Sequence, residues 1–437
     1  MKKRLILALL ILGSVFSFAS ATNNSFEIIN KSPDELIIKV TVNDFRLQAV
    51  KTPGLMGYLP DIENGAHSLK KGFPDLQHLT ASLIQQGQDV RISILDQKIK
   101  EFSDINILPS KGNLYRNQDP SEIPYQKGKI YQKDSFYPRK IVKSGKGYQF
   151  RDFSGIPLQV TPMQYNPVSK TLRLYTELTI KVSFSGVQLN RKPKQINADF
   201  ASLYKQHFLN YQSSRYTALP EKGEMLVLTH QNFDQDIQSF VDWKNKIGIP
   251  TKLVRIDTLG AGNASAIKNY ISTYYQNHNL SFVLLVGDAN YVPTNSISSG
   301  DSDNHYGYLS GNDSYPEVMI GRFSVENSAH VNTMVQRTKM YELGLSNTGN
   351  WLNTSLGIAS EQGPGDDNEM DYEHIRNMHA DLQGYTYTSL LEMFDGSQGG
   401  NDAGGNPSSS MVSQAVNSGL GNILYTGHGS TYSWGSS

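Results

Sequence analysis

The chain has 437 residues, in which 40 Lys and Arg balance 40 Asp and Glu and there is no cysteine. Zero net charge excludes a ligand held by a broad basic field, such as nucleic acid, and points to a protein or small-molecule substrate. The lack of cysteine removes disulfides as a source of stability and removes any thiol nucleophile from these residues.

In chain order, MKKRLILALLILGSVFSFASA comes first. It places Lys2, Lys3 and Arg4 before an apolar run from Leu5 to Phe18 and the small-residue site Ala19-Ser20-Ala21. This is the pattern of a secretory signal peptide over residues 1–21, and the run is shorter than the ~20 residues of a spanning helix. No later segment is apolar enough to cross a bilayer, so a mature protein outside the cytoplasm is expected.

Residues 22–186 alternate polar and apolar positions in runs such as ELIIKVTVND, DVRISILDQK and KTLRLYTELTIKVSFSG, broken by turn residues. Period two with recurrent turns predicts an all-β sandwich. Asn166, Pro167 and Ser169 mark one hairpin turn. No nucleophile, base and anion site gather in this half, so an accessory role is expected. Residues 187–215 turn polar and read as an exposed linker, with Arg215 as a candidate processing site before Tyr216.

Beyond the linker, strands alternate with helices. EMLVLTH, TKLVRI, SFVLLVGD, SLGIASE and GNILYTGHG read as buried strands, and NFDQDIQSFVDWKNKIG as a helix with Ile237, Phe240, Val241 and Trp243 on its apolar face. Such alternation predicts an α/β domain on a mostly parallel sheet, divided here into subdomains 216–353 and 354–437. Ligands of such sheets bind at the carboxyl ends of the strands.

Three strands end in reactive side chains: Asp288, Glu361 and His428. His428 stands between Gly427 and Gly429, which leave room for a substrate, and imidazole suits acid–base work near neutrality. The stretch SEQGPGDDNEMDYEHI holds Glu361, Asp366, Asp367, Glu369, Asp371, Glu373 and His374 ahead of a helix. These acids either complement the helix dipole, bind a hard cation or form an acidic specificity pocket. The loop GDSDNHYGYLSGNDSYPEV, with Asp301, Asp303, Asp313 and Glu317, is oxygen-rich but lacks EF-hand spacing.

MQYNPVSKTLRLYTEL, SRYTALPEKGEMLVL, GNDSYPEVMIGRFSVEN, GIASEQGPGDDNEMDYEHI and ILYTGHGSTYSWG together resemble, in order, the gingipain family of secreted cysteine peptidases. The resemblance implies a signal peptide, an inhibitory β-rich prodomain and a caspase-like α/β catalytic domain. It assigns the catalytic histidine to His428 and the carboxylate that orients it to Glu361. Asp371, reached through a one-residue deletion after Pro364, falls on the acidic floor of the substrate pocket of arginine-specific members. An oxyanion would be held by backbone N–H groups near Gly429. Asp288, Asp313 and Glu317, with backbone oxygens near Ser310 and Tyr315, look like one structural calcium site, and Glu369 and His374 like part of a second. The implied partners are peptide substrates, the chain's own prodomain and a secretion machinery. The family's nucleophilic cysteine lies a few tens of residues past the histidine. The present chain is therefore expected to stop between base and nucleophile, and to be inactive as it stands. The stretch KSGKGYQFRDF is one place where a prodomain Arg or Lys could fill the pocket. Two alternatives remain open: a sorting-domain peptidase of type IX secretion with the same fold, and a catalytically dead, calcium-stabilised adhesion module.

Overall fold

The computed structural model describes residues 25–52, 55–115, 118–189, 195–212, 217–218, 222–260, 262–297, 300–344, 349–364, 369–430 and 433–435. The expected signal peptide, the processing pair Arg215 and Tyr216, and Asp366 and Asp367 lie outside these residues. Among the described residues no helix is long and apolar enough to cross a membrane.

Alternation builds the first half. In the strand Glu35–Thr41 every second residue, Leu36, Ile38 and Val40, is buried. The strand lies in a five-stranded antiparallel sheet with Phe26–Lys31, Thr171–Gln188, Met163–Asn166 and Gly87–Phe102. A second antiparallel sheet joins Leu79–Ile84, Val142–Ser144 and Tyr148–Phe150 to the strand Phe153–Val160. Leu36, Ile38, Leu178 and Ile180 of the first sheet share one core with Leu79, Leu83, Leu158 and Val160 of the second. Burial of each such side chain is worth about 1.5–3 kcal/mol. The turn after Asn166 forms as expected: its Oδ1 accepts from the N–H groups of Val168 and Ser169.

The segment read as an exposed linker contains a packed helix, Ala198–His207. Asn197 caps it by accepting from Asp199 N–H at 2.8 Å. Phe200, Tyr204 and Phe208 recur every four residues and form one helical stripe, buried against Phe150 and Phe153. The polar residues between them hid this stripe.

In the second half, Thr251–Arg255, Glu224–Thr229, Leu280–Val286 and Met319–Phe323 form a four-stranded parallel sheet in that order. Ser389–Phe394, Thr354–Ala359 and Asn422–Thr426 form a separate three-stranded parallel sheet, again in that order. The helix Asp234–Lys246 buries Ile237, Phe240 and Val241. Its fourth buried position is Lys244 rather than Trp243: the ammonium pairs with Glu342, and Trp243 Nε1–H donates to the same carboxylate at 2.6 Å. One acid on the helix Ser328–Glu342 thus satisfies both side chains.

Candidate active site

The central strand Thr354–Ala359 places Ala359 opposite Thr426 on one side and opposite Phe394 on the other. Pairing continues one step past the strand: Ser360 N–H donates to Thr426 O at 3.0 Å, and Asp395 N–H to Ala359 O at 2.9 Å. Successive side chains of an extended chain leave on opposite sides. Glu361 and Gln362 therefore part company at the strand exit.

Gln362 turns toward the Asn422–Thr426 side, where His428 Nε2 lies 2.8 Å from its Oε1. With the amide oxygen as acceptor, Nε2 carries the hydrogen, and Nδ1 is the nitrogen left to exchange a proton. Glu361 turns the other way, and a Cβ built on Gly396 would sit 3.1 Å from its Oε2. No hydrogen bond joins Glu361 to His428. The orienting contact expected from Glu361 is made by its neighbour Gln362.

Asp371 opens the helix Asp371–Tyr385 and is buried beneath this exit. Its Oδ2 accepts from Ser360 Oγ, and its N–H donates to Gln362 O at 2.8 Å. Gln362 N–H in turn donates to Ser360 Oγ at 3.2 Å. Asp371 is thus tied through Ser360 and Gln362 to His428. The His428 carbonyl accepts from Gly435 N–H at 2.7 Å and from Tyr425 Oη–H. Gly429 pairs with Trp434 in a short bridge, and a Cβ there would meet nothing nearer than Ser433 O at 3.9 Å.

On the Glu361 side, Asp395 is buried and its Oδ1 has no hydrogen-bond partner. Burial, and then the charge of Glu361, holds its carboxyl above the usual carboxylate range. The turn that follows is fastened by Asp402, which accepts from Phe394 N–H at 3.0 Å and Gln398 N–H at 2.9 Å. Arg376 adds a bond to Gly399 O at 2.6 Å.

The remaining predicted residues stand apart. Asp288 lies two residues past the strand Leu280–Val286 of the other sheet, where its Oδ1 accepts from Ser324 Oγ at 2.8 Å. That bond draws its carboxyl below the usual range. Asp313 accepts from Tyr315 N–H at 2.9 Å and from Gln149 N–H at 2.8 Å. Glu317 is wholly buried; its Oε2 accepts from Leu309 and Ser310 N–H, while Oε1 has no partner. Desolvation raises the Glu317 carboxyl above the usual carboxylate range. Glu369 Oε2 and His374 Nδ1 lie 2.7 Å apart. Among the described residues no three Asp, Glu or His side chains gather as a ready metal cage.

Sequence reasoning passed over Ser360 and Gln362. Their signal was position: both lie within three residues of the strand exit that carries Glu361.

The sequence matches the model of peptidase family C25 over residues 218–437 and that of the C25 propeptide over residues 26–219. The chain belongs to peptidase family C25, with the family's propeptide ahead of the peptidase part. It is 36% identical to Gingipain R1 of Porphyromonas gingivalis over 412 residues, which are 92% of this chain and 40% of that protein. It is 22% identical to Lys-gingipain of Porphyromonas gingivalis over 442 residues, 95% of this chain and 24% of that protein. A solved complex of Porphyromonas gingivalis RgpB pro- and mature domains aligns at 29% identity with a TM-score of 0.40, covering 44% of this chain and 100% of that one. The chain therefore spans less than half the length of these two curated relatives.

Proposed function

We propose that the protein is the precursor of a secreted cysteine endopeptidase that cleaves after arginine, with His428 as its acid–base group. The observation that carries the reading is the His428–Gln362 contact at the carboxyl edge of a parallel sheet, in a chain of peptidase family C25. Gln362 orients the imidazole through Nε2 and leaves Nδ1 to take the thiol proton and later return it to the leaving amine. The thiol comes from the part of the protein that follows His428 in the family.

Preference for arginine rests on Asp371, whose carboxylate pairs with a guanidinium more specifically than with an ammonium. The greater identity to Gingipain R1 than to Lys-gingipain, 36% against 22%, supports arginine over lysine. The β-rich half, residues 25–212, acts as the inhibitory prodomain, and the protein leaves the cell by a signal-peptide route. Structural calcium belongs at the Ser310–Glu317 loop, where the unpartnered Glu317 Oε1, the Asp313 carboxylate and the carbonyls of Ser310 and Tyr315 offer oxygen ligands. Asp288 joins it if it gives up Ser324, and Glu369 with His374 supply a second site.

A peptide library varied at P1 and assayed on the full-length protein after prodomain removal tests the substrate. The reading expects arginine to exceed lysine by at least tenfold in kcat/KM, with the margin lost in Asp371→Asn. Equal cleavage after residues of unrelated chemistry would favour the sorting-peptidase alternative.

A further inference from the structure

The β-rich half meets the α/β half at several places, among them Asn197 against Ser281, Asp199 against Gly223 and one tight turn. The paired strands Tyr148–Phe150 and Phe153–Val160 are joined by Arg151 and Asp152, and Arg151 has a left-handed backbone with φ of 46°. That conformation is uncommon for a residue other than glycine, and the surroundings account for it. The Arg151 side chain is only 6% exposed. Its Nη1 donates to Leu280 O at 2.8 Å and also to Glu317 O, both on the first α/β subdomain. The guanidinium lies 4.4 Å from the ring centre of Phe200 in its own half and 5.2 Å from that of Tyr275 across the junction.

Neighbours on the same hairpin extend the contact. Gln149 N–H donates to Asp313 Oδ2 at 2.8 Å, and the ring of Tyr148 stacks on Tyr315 at 4.2 Å. Asp152 reaches Arg151 only at 3.9 Å and accepts from Tyr204 Oη–H at 2.7 Å. The guanidinium is therefore compensated chiefly by two carbonyls of the opposing half and by one aromatic ring from each half. A buried arginine set between aromatic rings from both sides of a contact has the features of a residue that dominates binding. Loss of the opposing half would leave that charge without its acceptors.

We propose that Arg151 is the anchor that keeps the β-rich half bound once the connecting chain is cut, and that this grip is made on the first α/β subdomain rather than at His428. This stretch was one place for a residue that fills the substrate pocket; Arg151 instead points to the first α/β subdomain, where its Nη1 donates to the carbonyls of Leu280 and Glu317. The inference rests on the zymogen reading only in taking the connection near Arg215 to be severed.

The test uses the full-length precursor carrying His428→Ala and a recognition sequence for an unrelated protease inserted near Arg215, so that neither self-processing nor activity enters the readout. After cutting, the two fragments of the parent should co-elute on gel filtration and separate slowly on dilution. Arg151→Met, which keeps the stem and removes the donors, should speed dissociation at least tenfold. Arg151→Lys should fall between, because an ammonium cannot reproduce the planar fork. If Arg151→Met lowers the melting temperature of the uncut precursor, Tyr275→Leu gives the same measurement from the opposite face. Unchanged dissociation in both Arg151→Met and Tyr275→Leu overturns the proposal.

Discussion

His428 Nε2 meets Gln362 Oε1 at 2.8 Å, so the imidazole is held by a neutral amide and not by a carboxylate. Gln362→Ala in the full-length enzyme should lower kcat by about 10–100-fold with little change in KM, at or below the ~10²–10⁴-fold that acid–base catalysis itself contributes. Gln362→Glu should restore much of the rate and move the alkaline limb of the kcat/KM profile to higher pH, because a carboxylate stabilises the protonated ring. Glu361→Gln should have the smaller effect on kcat. A larger loss from Glu361→Gln than from Gln362→Ala, measured by steady-state kinetics, would return the orienting role to Glu361.

Gly396 has φ of 76°, and a Cβ there would stand 3.1 Å from Glu361 Oε2 and 3.2 Å from Gln398 Nε2. Gly396→Ala should therefore cost about 1 kcal/mol of stability from the left-handed backbone and displace the Glu361 carboxylate. Denaturant unfolding reads the first effect; a shifted pH profile without loss of substrate affinity reads the second.

Asp395 gives a stability signature with a defined sign. Its carboxyl holds its proton more tightly in the folded chain than in the unfolded one, through burial and the nearby charge of Glu361. Such a group stabilises the fold at low pH, and that contribution is lost as pH rises from the unfolded value near ~3.9 through the raised folded value. Asp395→Asn should flatten the melting temperature between pH 4 and 7 and raise it at pH 7. A lower melting temperature for the variant at pH 7 would show that the ionised carboxylate is needed.

Glu317 is wholly buried with one unpartnered oxygen. If calcium is its partner, chelation should lower the melting temperature of the full-length protein by several degrees, where each 1 kcal/mol corresponds to about 2–4 °C in a domain of this size. Glu317→Gln should abolish that response. A chelator-insensitive parent protein would leave the loop without a metal role.

Much of this arrangement was legible because periodicity is a direct physical signal. Leu36, Ile38 and Val40 announce a strand with one buried face, and the strand ahead of His428 announces where a base would emerge. The exit after Ala359 was not legible: whether Glu361 or Gln362 meets His428 depends on the course of the chain past the strand and on where the turn carrying His428 lies. Lys244 was missed for a related reason, since its burial depends on Glu342, about a hundred residues away in sequence. The helix at Phe200 and Tyr204 was hidden by its polar face, although its spacing was present throughout.

The most direct test of the central claim is the rate of thiol alkylation by iodoacetamide as a function of pH, measured on the full-length, prodomain-free protein and on His428→Ala. If His428 activates a thiolate, the parent should lose peptidase activity in step with alkylation of one cysteine, react fast well below the ordinary thiol pKa of ~8.5, and slow sharply at neutral pH in His428→Ala. Equal alkylation rates in the two proteins, or full activity after alkylation, would contradict the assignment of His428 as the base.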